Sequence, residues 1–144
     1  MQHTEVYART ARPAVFLIEP EQVVRSALEY ILRERYGTHA FASMDEAVAS
    51  PMKAPAVVLI GIAILRDRGE EVLAELSTVF ATTKILLVAE RICDPVAQAG
   101  LKQGAHGVIS NPISFDSVCD AVRVVLGAPD FPGAPSRLVR VAFG

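Results

Sequence analysis

Cysteine is scarce in this chain, tryptophan is absent and neither sign of charge dominates; each shortage closes off a class of function. The two cysteines, Cys93 and Cys119, cannot staple a disulfide scaffold, and neither stands in a C-x-x-C pair. They read as buried or idle thiols. Lys plus Arg number 14 against 16 for Asp plus Glu, a formal charge of -2. With no basic excess to hold a phosphate backbone, no nucleic-acid partner is expected. The longest nearly apolar stretch, Ala54 to Leu65, is broken by Pro55 and Gly61 and falls short of the roughly 20 residues that cross a bilayer. It reads as a buried strand and its exit, and no membrane association is expected. Met1 to Pro13 carries Arg9 and Arg12 but no apolar block, so no signal peptide is expected and the location reads as cytoplasmic. No G-x-G-x-x-G follows the first strand and no G-x-x-x-x-G-K occurs, which removes the usual backbone cradles for dinucleotides and nucleoside triphosphates.

What is present suffices for one domain. The 144 residues are 51% hydrophobic and 21% charged, enough apolar material for one real core and too little length for two. Ala14 to Ile18 (AVFLI) is an apolar run of strand length, and Pro20 and Glu21 open a helical pattern. Val23, Ala27 and Ile31 mark its apolar face and Val24, Leu28 and Leu32 widen it; the helix is expected to reach about Tyr36 and stop at an αL cap on Gly37. A brief strand over 38–42 follows, then a short helix opened by a Ser43/Glu46 capping box. Ala56 to Ile60 (AVVLI) and Lys84 to Val88 read as fully buried parallel strands, with a helix over 70–80 between them. Asp94 and Pro95 cap and start a helix that closes at Gly104, with Gly100 inside it as a weakening of about 1 kcal/mol relative to Ala. Gly107 to Ser110 is a last strand, and Ser114 caps a helix striped by Phe115, Val118, Val122 and Val125. Five strand-helix pairs in alternation predict right-handed crossovers, a parallel sheet covered on both faces, and function at the carboxyl ends of the strands. From Ala128 the texture changes to PDFPGAP and then RLVRVAFG, so the chain divides into an arm (1–12), a domain (13–127) and a Pro/Gly linker with an extended tail (128–144).

Four segments carry a family resemblance: AVFLIEPEQVVRSALEYIL, PAVVLIGIAILRDRGEEVLAEL, KILLVAE and AGLKQGAHGVISNPISFDSVCDAVRVVL. Over residues 13–127 the chain resembles the response-regulator receiver (CheY-like) domains of two-component signalling, and GAHGVISNP before a helix is similar to the family's G-A-x-G-x-x-x-K-P turn. The resemblance implies a flavodoxin-like (βα)5 doubly wound parallel sheet in the order 2-1-3-4-5. In that family an acidic pair after the first strand holds magnesium and an Asp ending the third strand takes the phosphoryl group. A Thr or Ser after the fourth strand and a Lys after the fifth hold its oxygens. These positions fall here on Glu19 and Pro20, Gly61, Ala89 and Asn111, and the aromatic switch position on Val108. Pro20 offers no ligand, Gly61 no nucleophile, Ala89 no hydroxyl and Asn111 no charge, whereas phosphoryl transfer depends on fixed positive charge around an in-line nucleophile. Magnesium, which prefers several hard oxygens, is expected to be lost. The expectation is a non-enzymatic pseudo-receiver with no cofactor that binds a protein, including a second copy of itself, through its last two helices and final strand. Val96, Leu101, Val108 and Val122 are the expected contact residues. A second reading is a regulatory domain that binds a small molecule or nucleotide in the carboxyl-end crevice, through Glu19, Asn111 and amides near Gly61. A third is a receiver half whose tail is the stub of an output domain.

The remaining candidates have bland readings beside sharp ones. Glu19 and Glu21 are more simply helix-dipole partners than a residual cation site. Asp67 reads as a solvated charge in the loop after the third strand rather than a substitute acceptor, His106 as a surface-turn histidine rather than a pH sensor. Cys93, ahead of the Asp94 cap, lacks a partner that would make it a redox sensor. The resemblance implies a cis peptide between Asn111 and Pro112. The tail, with Leu138, Val139, Val141 and Phe143, reads as a docking segment or a disordered end, its apolar content favouring docking.

Overall fold

A computed structural model describes residues 12–51, 54–69 and 71–127; most of the arm and all of the tail named above lie outside them. Strand β1 (Ala14–Ile18) is followed by α1 (Gln22–Leu32), β2 (Gly37–Phe41) and α2 (Met44–Ala49). Then come β3 (Val57–Gly61), α3 (Ile62–Arg68) and α4 (Glu71–Val79), β4 (Lys84–Ala89), α5 (Pro95–Lys102), β5 (Gly107–Ser110) and α6 (Phe115–Val125). The strands form one parallel sheet in the order β2-β1-β3-β4-β5, with β1 paired to both β2 and β3. This is the flavodoxin-like order expected for the resemblance.

The apolar strands are buried because each carries two cores at period two. Phe16, Ile18, Val58, Ile60, Ile85 and Leu87 point into a layer completed by α2, α3, α4 and α5. Val15, Leu17, Val57, Leu59, Leu86 and Val88 point the other way, against Leu28 and Leu32 of α1 and Val118 and Val122 of α6. Capping follows the sequence. Ser43 Oγ accepts from the Glu46 amide, Asp94 Oδ1 from the amides of Val96 and Ala97, and Ser114 Oγ from that of Ser117. The return arm of the first cap differs, since Glu46 Oε1 bonds the amide of Ala42 rather than that of Ser43.

Four local expectations are corrected. An extra helix, α3, begins directly after β3, so Asp67 lies on a helix and not in a loop. Helix α1 ends at Leu32 with Arg33 as a right-handed cap, and Gly37 opens β2 without positive φ, so no αL residue ends this helix. The buried face of α1 is the Val24, Leu28, Ile31 and Leu32 set, while Val23 is 76% exposed. Gly100 is no weak point: a Cβ there would stand 2.7 Å from Leu87 Cδ1 and 3.3 Å from Leu65 Cδ2, so its small size lets α5 approach β4 and α3.

Candidate functional site

The strand ends β1, β3, β4 and β5 converge on a crevice of about 270 Å³ lined by Glu19, Ala89 and Asn111 together with Glu21, Arg66 and Glu90. The sequence reasoning placed the first three, and Gly61 with them, at strand ends. Arg66 and Glu90 escaped it, Arg66 because α3 was not foreseen. Glu90, directly after the last residue of β4, was legible from the strand boundary.

Glu19 decides the floor of the crevice. It is 6% exposed, its amide is held by the Phe41 carbonyl, and Oε2 accepts from the Glu21 amide at 3.0 Å. Arg25 Nη1 donates to the Glu19 carbonyl at 2.7 Å and to that of Pro20. The carboxyl therefore folds inward over the end of β3 and meets the first amide beyond the β1 turn, which gives the dipole reading a concrete bond. A Cβ on Gly61 would lie 2.2 Å from Glu19 Oε1 and 2.9 Å from Cδ. The space of an acceptor side chain is thus filled by the Glu19 carboxyl. Gly61 itself has φ -67 and ψ 140, a conformation open to any residue, so a side chain there requires only that the flexible Glu19 carboxyl swing aside. Burial pushes the Glu19 carboxyl above its ordinary range and the neighbouring Glu21 charge adds to this, against the Glu21 amide bond and Arg25.

On the far side Ala89 is buried with no hydroxyl, and the Asn111 amide donates to the Glu90 carbonyl at 3.3 Å. The Asn111–Pro112 peptide is cis, as the resemblance implied. Arg66 forms an ion pair with Asp94, the N-cap of α5, and so spans the crevice wall. A magnesium ion fits this donor set poorly. Pro20 and Gly61 bring no side-chain oxygen, and one oxygen of Glu19 is already used by a backbone amide. Among the described residues no three His, Cys, Asp or Glu side chains group so as to hold a metal.

The other candidates scatter. Asp67 is exposed and lines a separate, larger cavity of about 590 Å³ with Pro20, Ser43, Asp45 and Ala63. Cys93 is exposed and free, Cys119 buried with its thiol pushed up by that burial. His106 is half-buried just before β5, its Nδ1 accepting from the Ile85 amide at 3.0 Å while its own amide donates to the Ile85 carbonyl at 2.8 Å, which ties the entry of β5 to β4. Of the expected contact residues, Val108 and Val122 are core positions at 1% and 0% exposure and cannot be offered to a partner in this fold. Val96 and Leu101 are half-buried against the same core.

The model of the response regulator receiver domain matches residues 15–123, three quarters of the chain and every strand end of the crevice. The chain belongs to the response regulator receiver family. Receiver structures share its fold at low identity. A response regulator from Thermotoga maritima is 14% identical with a TM-score of 0.71, covering 81% of this chain and 99% of its own. A CheY-like receiver from Methanospirillum hungatei JF-1 is 17% identical with a TM-score of 0.70, covering 81% and 95%. A response regulator from Burkholderia pseudomallei, crystallised with a phosphorylated aspartic acid, is 19% identical with a TM-score of 0.67, covering 80% and 69%. No curated protein matches the sequence. Among the described residues of this receiver no helix is long and apolar enough to cross a membrane.

Proposed function

We propose that this receiver takes up no phosphoryl group at the usual position, holds no magnesium there, and works in bacterial signal transduction as a cytoplasmic, non-enzymatic protein-binding module. The observation that carries the reading is the Glu19 carboxyl standing where the Cβ of an acceptor residue at 61 would be. Its support is chemical. An Asp at position 61 could not coexist with this Glu19 rotamer, and the neighbouring positions Ala89 and Asn111 supply neither a hydroxyl nor a positive charge for phosphoryl oxygens. Arg66 is the crevice's cation, and it is committed to Asp94. The protein-binding reading is favoured over a nucleotide pocket in this crevice by sign, since its three carboxylates repel phosphate. A contact surface on the last two helices would use exposed residues such as Phe115, 41% exposed, and the flanks of Val96. Amide NMR with magnesium and beryllofluoride tests the reading. The expected result is no saturable shift at Glu19, Gly61 or Asn111; a stoichiometric response there would overturn it.

A further inference from the structure

The sheet ends on one side at β2, which pairs with β1 alone. The Gly37 amide donates to the Pro13 carbonyl and the Phe41 carbonyl accepts from the Glu19 amide, both at 2.9 Å. Alternate residues of a parallel strand bond the same neighbour, so Gly37, His39 and Phe41 face β1 while the amides and carbonyls of Thr38 and Ala40 point away from the sheet. Among the described residues no hydrogen bond outside that ladder reaches these four groups. Edge strands are usually blunted by charge, proline or a bulge, yet β2 (GTHAF) has no Lys, Arg, Asp, Glu or Pro and keeps an unbroken register with β1. Its first residue is a glycine that its own chain does not require. Gly37 has no positive φ, and a Cβ there would meet nothing nearer than the Pro13 carbonyl oxygen at 3.9 Å. Glycine in a strand costs stability, and where neither bulge nor turn demands it, it marks the close approach of another group.

We infer that β2 is a self-association edge: two copies of the chain pair their β2 strands antiparallel, about a two-fold axis normal to the sheet at His39, and join two sheets into one. The partial charges along the edge are complementary to themselves under that axis. Thr38 stands opposite Ala40 of the second copy, and each of the two such pairs exchanges both of its N–H to C=O bonds, so every outward group finds a partner. The axis keeps the faces of the sheets aligned, so Gly37, His39 and Phe41, on the face where the Phe16 ring touches His39 and Phe41, meet the same residues of the second copy. Gly37 then opposes Phe41 of the second copy in a pair without hydrogen bonds, where side chains come closest, and its missing Cβ leaves room for the ring. A strand with no carboxylate, ammonium or guanidinium gives a strongly charged partner no grip, which favours a copy of itself. Five-residue strands bury little surface, so a weak, concentration-dependent dimer is the expected form. This edge lies across the sheet from β5, so the pairing goes beyond the reading above and stands whether or not a phosphoryl group enters the crevice.

The test is sedimentation velocity on the full chain at concentrations up to about 1 mM, together with amide exchange followed by NMR. The expected result is a monomer–dimer equilibrium, with exchange at the Thr38 and Ala40 amides slowing as concentration rises. Gly37→Thr separates pairing from folding. It should keep or raise the urea midpoint of the dilute chain, because the position has room for a Cβ and threonine suits a strand, yet weaken dimerisation by about ten-fold or more through collision with Phe41 of the second copy. Ala40→Pro removes an amide that the fold does not use and should also weaken the dimer by about ten-fold or more, since the axis doubles the loss to two hydrogen bonds. A chain that stays monomeric throughout, a dimer indifferent to both variants, or a dimer lost instead with Phe115→Ser on α6 would overturn the pairing.

Discussion

Glu19 and Gly61 act as one unit, and their coupling is measurable. Gly61→Asp should destabilise the chain because its Cβ meets the Glu19 carboxyl, which must then leave its amide partner. The cost should shrink in a Glu19→Ala background, and a double-mutant cycle by urea denaturation reads the difference. The raised carboxyl gives a pH signature. Its folded pKa lies above the unfolded value, so its contribution is complete below the ordinary value of 4.5 and is lost as pH rises through the folded pKa. Glu19→Gln should therefore match wild type at low pH and exceed it near pH 7. His106 has the opposite sign. Burial, then the Lys84 charge, lowers its pKa despite the Ile85 bond, so its contribution is present above 6.5 and lost as pH falls through the folded pKa. The advantage of wild type over His106→Ala should diminish below about pH 6.5, because protonated Nδ1 cannot accept the Ile85 amide. Gly100→Ala, which helix propensity alone would favour by about 1 kcal/mol, should instead lose about 1 kcal/mol through overpacking against Leu87 and Leu65.

At the level of elements the sequence was informative wherever one local signal had no competitor. Asp94 with Pro95 and Ser114 marked helix starts because a cap satisfies amides that nothing else reaches. Ser114→Ala should cost about 1 kcal/mol in thermal or urea unfolding. The apolar runs of β1, β3 and β4 gave strands whose two faces are both buried, where period-two alternation of polarity is absent for that reason. Sequence reading failed where two signals overlapped. Val23 joins a four-residue repeat with Ala27, yet rotation by one position buries Val24, Leu28 and Leu32 more completely, and the larger set wins. Ile62 to Leu65 continues the apolar run of β3 and so concealed α3, whose inward Ile64 and Leu65 belong to the same core as the strand. Val122 was legible as part of a helical stripe, but a stripe does not reveal whether the core or a partner covers it; α1 and the sheet do.

For the whole molecule the fold followed from the strict alternation of strand and helix, and the location of the crevice from the rule that such sheets work at their carboxyl ends. The four family positions were readable as residue types. What could not be read was a relation between two of them, that the carboxyl on β1 reaches across to occupy the space above β3. That depends on strand adjacency and a rotamer, and neither is local in sequence. The consequence is a crevice in which the Glu19 carboxyl stands over Gly61 while Ala89 and Asn111 bring neither a hydroxyl nor a charge. The most direct measurement is the intact mass of the full chain after incubation with magnesium and acetyl phosphate. The account predicts an unchanged mass. A stoichiometric gain of one phosphoryl group, mapped to Asp67 or any other carboxylate at the strand ends, would contradict it.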